Sequence, residues 1–229
     1  MSDKQKKLKV AAVIFDLDGT LIDSIDIYFT IVENALKRLN LPAVSRNQIL
    51  AAAENEEFKW ELVLPQDVLN RKAEIIDEAW AVINEIAPQM FADNLELIQG
   101  AGHIVESLSS NGLKIGLVTS TQRQYLETKM QPLKNAGVDN LFDAIITSDD
   151  VEKRKPAPDP LITCAQLLDM KPGNCVYVGD TTTDIKAGKA AGMRTIGVLT
   201  GFDEYGALEK EDPDAIIENV QNLLEVIDV

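Results

Sequence analysis

Short uninterrupted apolar runs, each closed by a small or polar residue, recur along this chain. The first, Val10-Ala11-Ala12-Val13-Ile14-Phe15, meets Asp16-Leu17-Asp18-Gly19-Thr20. It is brief, carries Val and Ile, and predicts a strand buried on both faces, the pattern of a parallel sheet. Leu113–Val118, Ala144–Thr147, Cys175–Val178, Thr195–Leu199 and Ala215–Ile217 predict further strands. Helical spacing fills the gaps: His103–Ser109, Gln124–Lys134 closed by Gly137, a helix from Asp159-Pro160 to Leu168 with Asp159 as N-cap, Ile185–Ala191 stopped by Gly192, and Val220–Ile227. Strands alternating with helices predict an α/β fold, a Rossmann-like parallel sheet covered on both faces.

The pattern changes between Ser24 and Gln99. Ile27, Ile31, Val32, Ala35, Leu36 and Leu39 recur at helix spacing, and Asn40-Leu41-Pro42 ends that run. Ser45 is placed to cap a helix over Gln48–Ala53. Glu56–Leu64, Gln66–Trp80 and Ala81–Phe91 predict more helix, and no stretch here predicts a strand. Phe58, Trp60, Trp80 and Phe91 supply a core for a small bundle. The expected organisation is a core domain from residues 1–21 and 97–229, interrupted by a helical cap over 22–96.

Composition adds limits. The chain has 229 residues, 45% hydrophobic and 26% charged, as ordinary globular domains do. A net charge of −15 disfavours a nucleic-acid surface. No apolar run approaches the ~20 residues that span a bilayer. Cys164 and Cys175 have no metal or redox spacing and read as buried thiols, as expected in a reducing cytoplasm. The single histidine, His103, falls on a predicted helix without a cysteine or serine partner, which disfavours a histidine-activated nucleophile.

The chemistry gathers where the strands end. A buried strand has no structural use for two acids at its end, because unpaired buried carboxylates are costly. Residues two apart on a strand point the same way, so Asp16 and Asp18 can reach one pocket, and a hard cation would compensate them. Thr119 follows the second strand and Lys155 the third, in Arg154-Lys155-Pro156-Ala157-Pro158-Asp159. Gly179-Asp180-Thr181-Thr182-Thr183-Asp184 follows the fourth. Ligands of open α/β sheets sit at these carboxyl ends. Clustered Asp, Thr and Lys on a parallel sheet also occur in phospho-accepting receivers, but those chains are usually about half this length and place the acceptor after a later strand.

Asp-x-Asp-Gly-Thr after a hydrophobic strand, Gly-Leu-Val-Thr-Ser, Arg-Lys-Pro-Ala-Pro-Asp and Val-Gly-Asp-Thr-Thr-Thr-Asp-Ile-Lys-Ala-Gly together resemble the motifs of the haloacid dehalogenase superfamily. The cap position looks most like its phosphoglycolate-phosphatase-like group. The resemblance implies a Mg²⁺-dependent phosphatase of small phosphorylated metabolites, while the net charge and the apolar runs point to no nucleic-acid or membrane partner. It implies Asp16 as nucleophile and Asp18 as general acid/base. It implies Asp16, Asp180, Asp184 and the Asp18 backbone carbonyl as metal ligands, and Lys155, Thr119 and Ser120 around the phosphate. Halide-removing relatives lack an acid two residues after the nucleophile, so Asp18 points to phosphoryl transfer. A β-phosphoglucomutase-type sugar-phosphate mutase is the alternative. Gln99, where many relatives have proline, and Arg154, in place of the usual glycine, depart from the pattern without removing a catalytic group.

Overall fold

The computed structural model describes residues 7–53 and 58–228. In chain order its strands are β1 (Leu8–Lys9), β2 (Ala12–Phe15), β3 (Ile22–Asp23), β4 (Glu96–Leu97), β5 (Lys114–Val118), β6 (Ala144–Ile146), β7 (Cys175–Gly179), β8 (Arg194–Val198), β9 (Ala215–Ile217) and β10 (Ile227–Asp228). Its helices are α1 (Ile25–Arg38), α2 (Arg46–Ala52), α3 (Lys72–Asn94), α4 (Ala101–Ser110), α5 (Arg123–Lys129), α6 (Gln131–Asn135), α7 (Asp159–Leu167), α8 (Thr182–Ala190), α9 (Tyr205–Lys210) and α10 (Leu223–Val226). Contacts divide the chain between Asp23 and Ser24 and again between Leu95 and Glu96. Among the described residues no helix is long and apolar enough to cross a membrane.

The first unit is α/β. Its main sheet has the order β6-β5-β2-β7-β8-β9, with every pairing parallel. β2 lies inside this order, and Ala12, Val13, Ile14 and Phe15 are all fully buried, as an unbroken apolar run demands. Phe15 pairs with Leu117 on one side and Val178 on the other, so Asp16, Thr119 and Asp180 leave the sheet at one edge. Ala12, Ile14, Cys164, Leu161, Tyr177 and Ala187 belong to one layer of the core against the sheet.

Some elements differ from the sequence expectation, each for an identifiable reason. The helix expected over Gln124–Lys134 is two helices, α5 and α6, because Pro132 has no N–H to continue the ladder. The helix expected over Val220–Ile227 shortens to a 3-10 turn and α10, and Ile227 instead pairs with Leu8 in a two-stranded parallel ribbon. Asp159 is the first helical residue of α7 rather than its N-cap, which is Pro158.

The second unit is helical. Ser45 caps α2 in a capping box with Gln48. The stretch expected to be helical over Glu56–Leu64 is one 3-10 turn at Trp60–Leu62, and Glu56 and Glu57 lie outside the described residues. The expected helices over Gln66–Trp80 and Ala81–Phe91 become a 3-10 segment at Gln66–Arg71 and one long α3 that runs through Pro88. An interior proline costs ~3 kcal/mol. Burying Ile75 and Ala79 in one core cluster and Ala87 and Phe91 in another offsets it, since one large side chain contributes ~1.5–3 kcal/mol. Phe58, Trp60 and Trp80 stack edge to face, with centroids 4.7 and 5.8 Å apart.

Candidate active site

Asp16 is the first residue past β2, and its N–H donates to the Val178 carbonyl at 2.9 Å. The chain then turns through Gly19 at φ +74°, a conformation that favours glycine. A Cβ at Gly19 would also lie 2.6 Å from Asp180 Oδ2. Gly201, in the loop after β8, is tighter still: a Cβ there would fall 1.8 Å from the same oxygen. At the end of β7, a Cβ on Gly179 would meet Asp184 Cβ at 2.5 Å. Three glycines therefore leave the room in which the acids approach.

Asp16, Asp180 and Asp184 each place a carboxylate oxygen within 4.8 Å of the others, and all three are buried. The Lys155 ammonium bridges two of them, donating to Asp16 Oδ1 at 2.9 Å and Asp184 Oδ1 at 2.8 Å. It also donates to the Tyr177 hydroxyl at 3.3 Å, which in turn lies 3.0 Å from Asp184 Oδ1. Asp180 accepts from the Phe202 N–H at 2.8 Å and the Thr20 hydroxyl at 3.3 Å. Thr181 caps α8, and Asp184 completes the box as its third residue, accepting from the Thr181 N–H and hydroxyl at 3.0 and 2.7 Å. Asp184 is thus part of the capping device but not the cap itself.

Three buried carboxylates face one ammonium, and the electrostatics record the shortfall. Burial pushes the Asp16 carboxyl up to about 7, against the opposing pull of Lys155, with Asp184 adding to the rise. Burial, then Asp184 and Asp16, push Asp180 well above the usual carboxylate range. Burial also works against ionisation of Asp184, but Lys155 and Thr181 outweigh it and hold that group low. An all-oxygen donor set with excess buried negative charge fits a hard divalent cation. No thiol belongs to the cluster, and burial keeps both cysteines protonated, raising Cys164 to about 12 and Cys175 to about 11.

Thr119 directly follows β5 and is buried, with its hydroxyl accepting from the Thr121 N–H at 3.0 Å. Thr119, Ser120 and Lys155 line one small pocket together with the buried Ser148. The anticipated phosphate-binding residues are therefore brought together. Asp18 is different. Its carboxylate is bonded away from the acid cluster, to Lys129 Nζ at 2.8 Å from both oxygens and to the Thr121 hydroxyl at 3.1 Å. Sequence reasoning missed Lys129, Thr121, Tyr177 and the Gly201-Phe202 turn. A signal existed for Lys129: it shares the apolar side of its segment with Met130 and Leu133, where a lysine is out of place.

A family model described as haloacid dehalogenase-like hydrolase matches residues 13–198. The pyrophosphatase PpaX of Bacillus mycoides (strain KBAB4) is 31% identical over 227 residues, covering 96% of this chain and 98% of that protein. The phosphoglycolate phosphatase of Escherichia coli (strain K12) is 27% identical over 233 residues, covering 94% and 91%. The crystal structure of a predicted phosphoglycolate phosphatase from Haemophilus somnus superposes with a TM-score of 0.82 at 22% identity, covering 96% and 98%, and shares the fold.

Proposed function

The chain belongs to the haloacid dehalogenase-like hydrolases, and from that premise we propose that it is a Mg²⁺-dependent phosphatase of small phosphomonoesters, acting through an aspartyl-phosphate on Asp16. The observation that carries this reading is the buried cluster of Asp16, Asp180 and Asp184 around Lys155, at the sheet edge that also presents Thr119.

Asp16, Asp180, Asp184 and the Asp18 carbonyl are the proposed ligands of Mg²⁺, which when bound supplies charge neutralisation for the phosphoryl oxygens. Lys155 holds Asp16 Oδ1 and offers its positive charge to the phosphate. Thr119 and the Ser120 N–H take other phosphate oxygens. One Asp16 oxygen forms a bond to phosphorus as the ester P–O bond breaks, and Asp18, entering this step as the carboxylic acid, gives its proton to the leaving alkoxide and becomes the carboxylate. Asp18 then takes a proton from water as the water oxygen bonds to phosphorus. The Asp16–phosphorus bond breaks, releasing phosphate and restoring the carboxylate.

These groups recognise what all phosphomonoesters share, so selection among them falls to other residues. We assign it to a cap domain over residues 22–96, with phosphoglycolate as the first substrate to test. The likeness to PpaX makes inorganic pyrophosphate the second. The test is phosphate release across a panel holding both, several sugar phosphates and 4-nitrophenyl phosphate, with Mg²⁺ and after chelation. Mg²⁺-dependent release from an alkyl phosphate supports the reading. Activity that survives exhaustive chelation contradicts it, as does isomerised sugar phosphate without phosphate release.

A further inference from the structure

Among the described residues two lysines are buried, Lys155 and Lys129, and each is paired with one acid of the Asp16-Leu17-Asp18 stretch. Lys155 belongs to the machinery above; Lys129 does not. It is the last residue of α5 and the one buried residue of that helix, with a side chain 3% exposed. A helix ordinarily buries apolar residues, and a buried ammonium is costly unless paired. Lys72, Lys114, Lys134, Lys186 and Lys189, each in an ion pair, are 32–48% exposed, so pairing alone gives no reason for this one to be inside.

Its partners supply the reason. Lys129 Nζ lies 2.8 Å from Asp18 Oδ1 and 2.8 Å from Oδ2, and donates to the Thr121 hydroxyl at 3.0 Å. That hydroxyl donates to Asp18 Oδ2 at 3.1 Å. The three groups form a closed triangle that fixes both the position and the rotation of the carboxylate. Oδ2 accepts from both donors and Oδ1 from one, so Oδ1 keeps the greater free acceptor capacity. The same turn sets the phosphate side, since the Thr121 N–H donates to Thr119 Oγ1.

We infer that Lys129, with Thr121, is a positioning residue for the phosphoryl-transfer reaction, holding the Asp18 carboxylate so that Oδ1 faces the leaving group and then the attacking water. This rests on the phosphatase reading above. On this assignment Lys129 acts through Asp18 and does not itself contact the substrate. Its loss should therefore damage the steps that use Asp18 while sparing nucleophilic attack by Asp16.

The variants are Lys129→Met, which keeps length and removes charge, Thr121→Val, which keeps shape and removes the hydroxyl, and Thr121→Ser, which restores it. The probes are 4-nitrophenyl phosphate and whichever alkyl phosphate the wild type turns over fastest. For Lys129→Met, kcat on the alkyl phosphate should fall about 100-fold, the low end of a general acid/base contribution. KM and the Mg²⁺ half-saturation should stay within about threefold. 4-Nitrophenyl phosphate, whose leaving group needs no proton, should give a rapid burst of about one nitrophenolate per active site, then slow turnover. Thr121→Val should show the same split at about tenfold, and Thr121→Ser should restore wild-type rates. If Lys129→Met does not fold, the Thr121 pair decides. Equal losses on both probes without a burst would mark the pair as merely structural and overturn the inference, as would wild-type rates. Asp16→Asn separates the two claims: turnover in that variant overturns the phosphatase reading itself, whatever Lys129 does.

Discussion

In the unit of residues 24–95 three ion pairs lie on the surface: Arg38 pairs with Glu85, Arg71 with Glu74 and Lys72 with Glu61, with the lysine and arginine side chains 44–60% exposed. In the other unit Lys129 and Lys155 are 3% and 6% exposed and face acids that are themselves largely enclosed. Exposed pairs contribute little to stability, because water and salt screen them and ordering two long side chains costs entropy. Buried charges are tolerated only with partners of good geometry, and deleting one partner costs ~3–5 kcal/mol. The helical unit confines its interior to Phe29, Leu36, Trp60 and their neighbours. The α/β unit gathers charge at one edge of an otherwise apolar sheet, at a cost that stability alone does not require.

That contrast can be attacked first at its centre. Asp16→Asn is isosteric and should lower kcat by at least ~10⁴-fold on every substrate, with a folded protein by circular dichroism. Substantial turnover would detach the buried cluster from the chemistry. Asp180→Asn comes next. It removes a charge from the acid cluster, and it should raise the Mg²⁺ concentration for half-maximal rate at least tenfold. Because burial already pushes Asp180 upward, the variant should be no less stable than wild type without metal; a clear loss in metal-free Tm would mean its charge is structural. Asp18→Asn should cost ~10²–10⁴ in kcat while leaving Mg²⁺ dependence near normal. A sharp rise in the Mg²⁺ requirement with the chemistry intact would instead make the Asp18 side chain a metal ligand. Smallest of all, Arg71→Ala, in the exposed pair with Glu74, should leave kcat within twofold and shift Tm by less than ~2 °C. A larger shift would blur the distinction between the two units.

How far the sequence discloses this molecule depends on the range of the interaction involved. The sheet was legible because each strand announces itself locally: the Val10–Phe15 run is apolar, and all of β2 is buried. Asp16, Thr119, Lys155, Asp180 and Asp184 were legible because each sits just after a predicted strand, and parallel sheets bring such ends together. The α5/α6 break turned on Pro132, and the last segment on pairing with Leu8, a partner at the far end of the chain. Lys129 lies 111 residues from Asp18, and its role appears only once both are placed. Gly201 was silent for the same reason. Its φ is ordinary, and what requires glycine is the Asp180 carboxylate against it.

The central claim is that Asp16 carries the phosphoryl group, and the most direct measurement looks for it there. Asp18→Asn is mixed with 4-nitrophenyl phosphate and Mg²⁺, quenched in acid and reduced with tritiated borohydride, which converts an aspartyl-phosphate into labelled homoserine. Peptide mapping by mass spectrometry then locates the label. The account predicts stoichiometric label at position 16 and none there in Asp16→Asn. Nitrophenolate release without label, or label on any other residue, would contradict it.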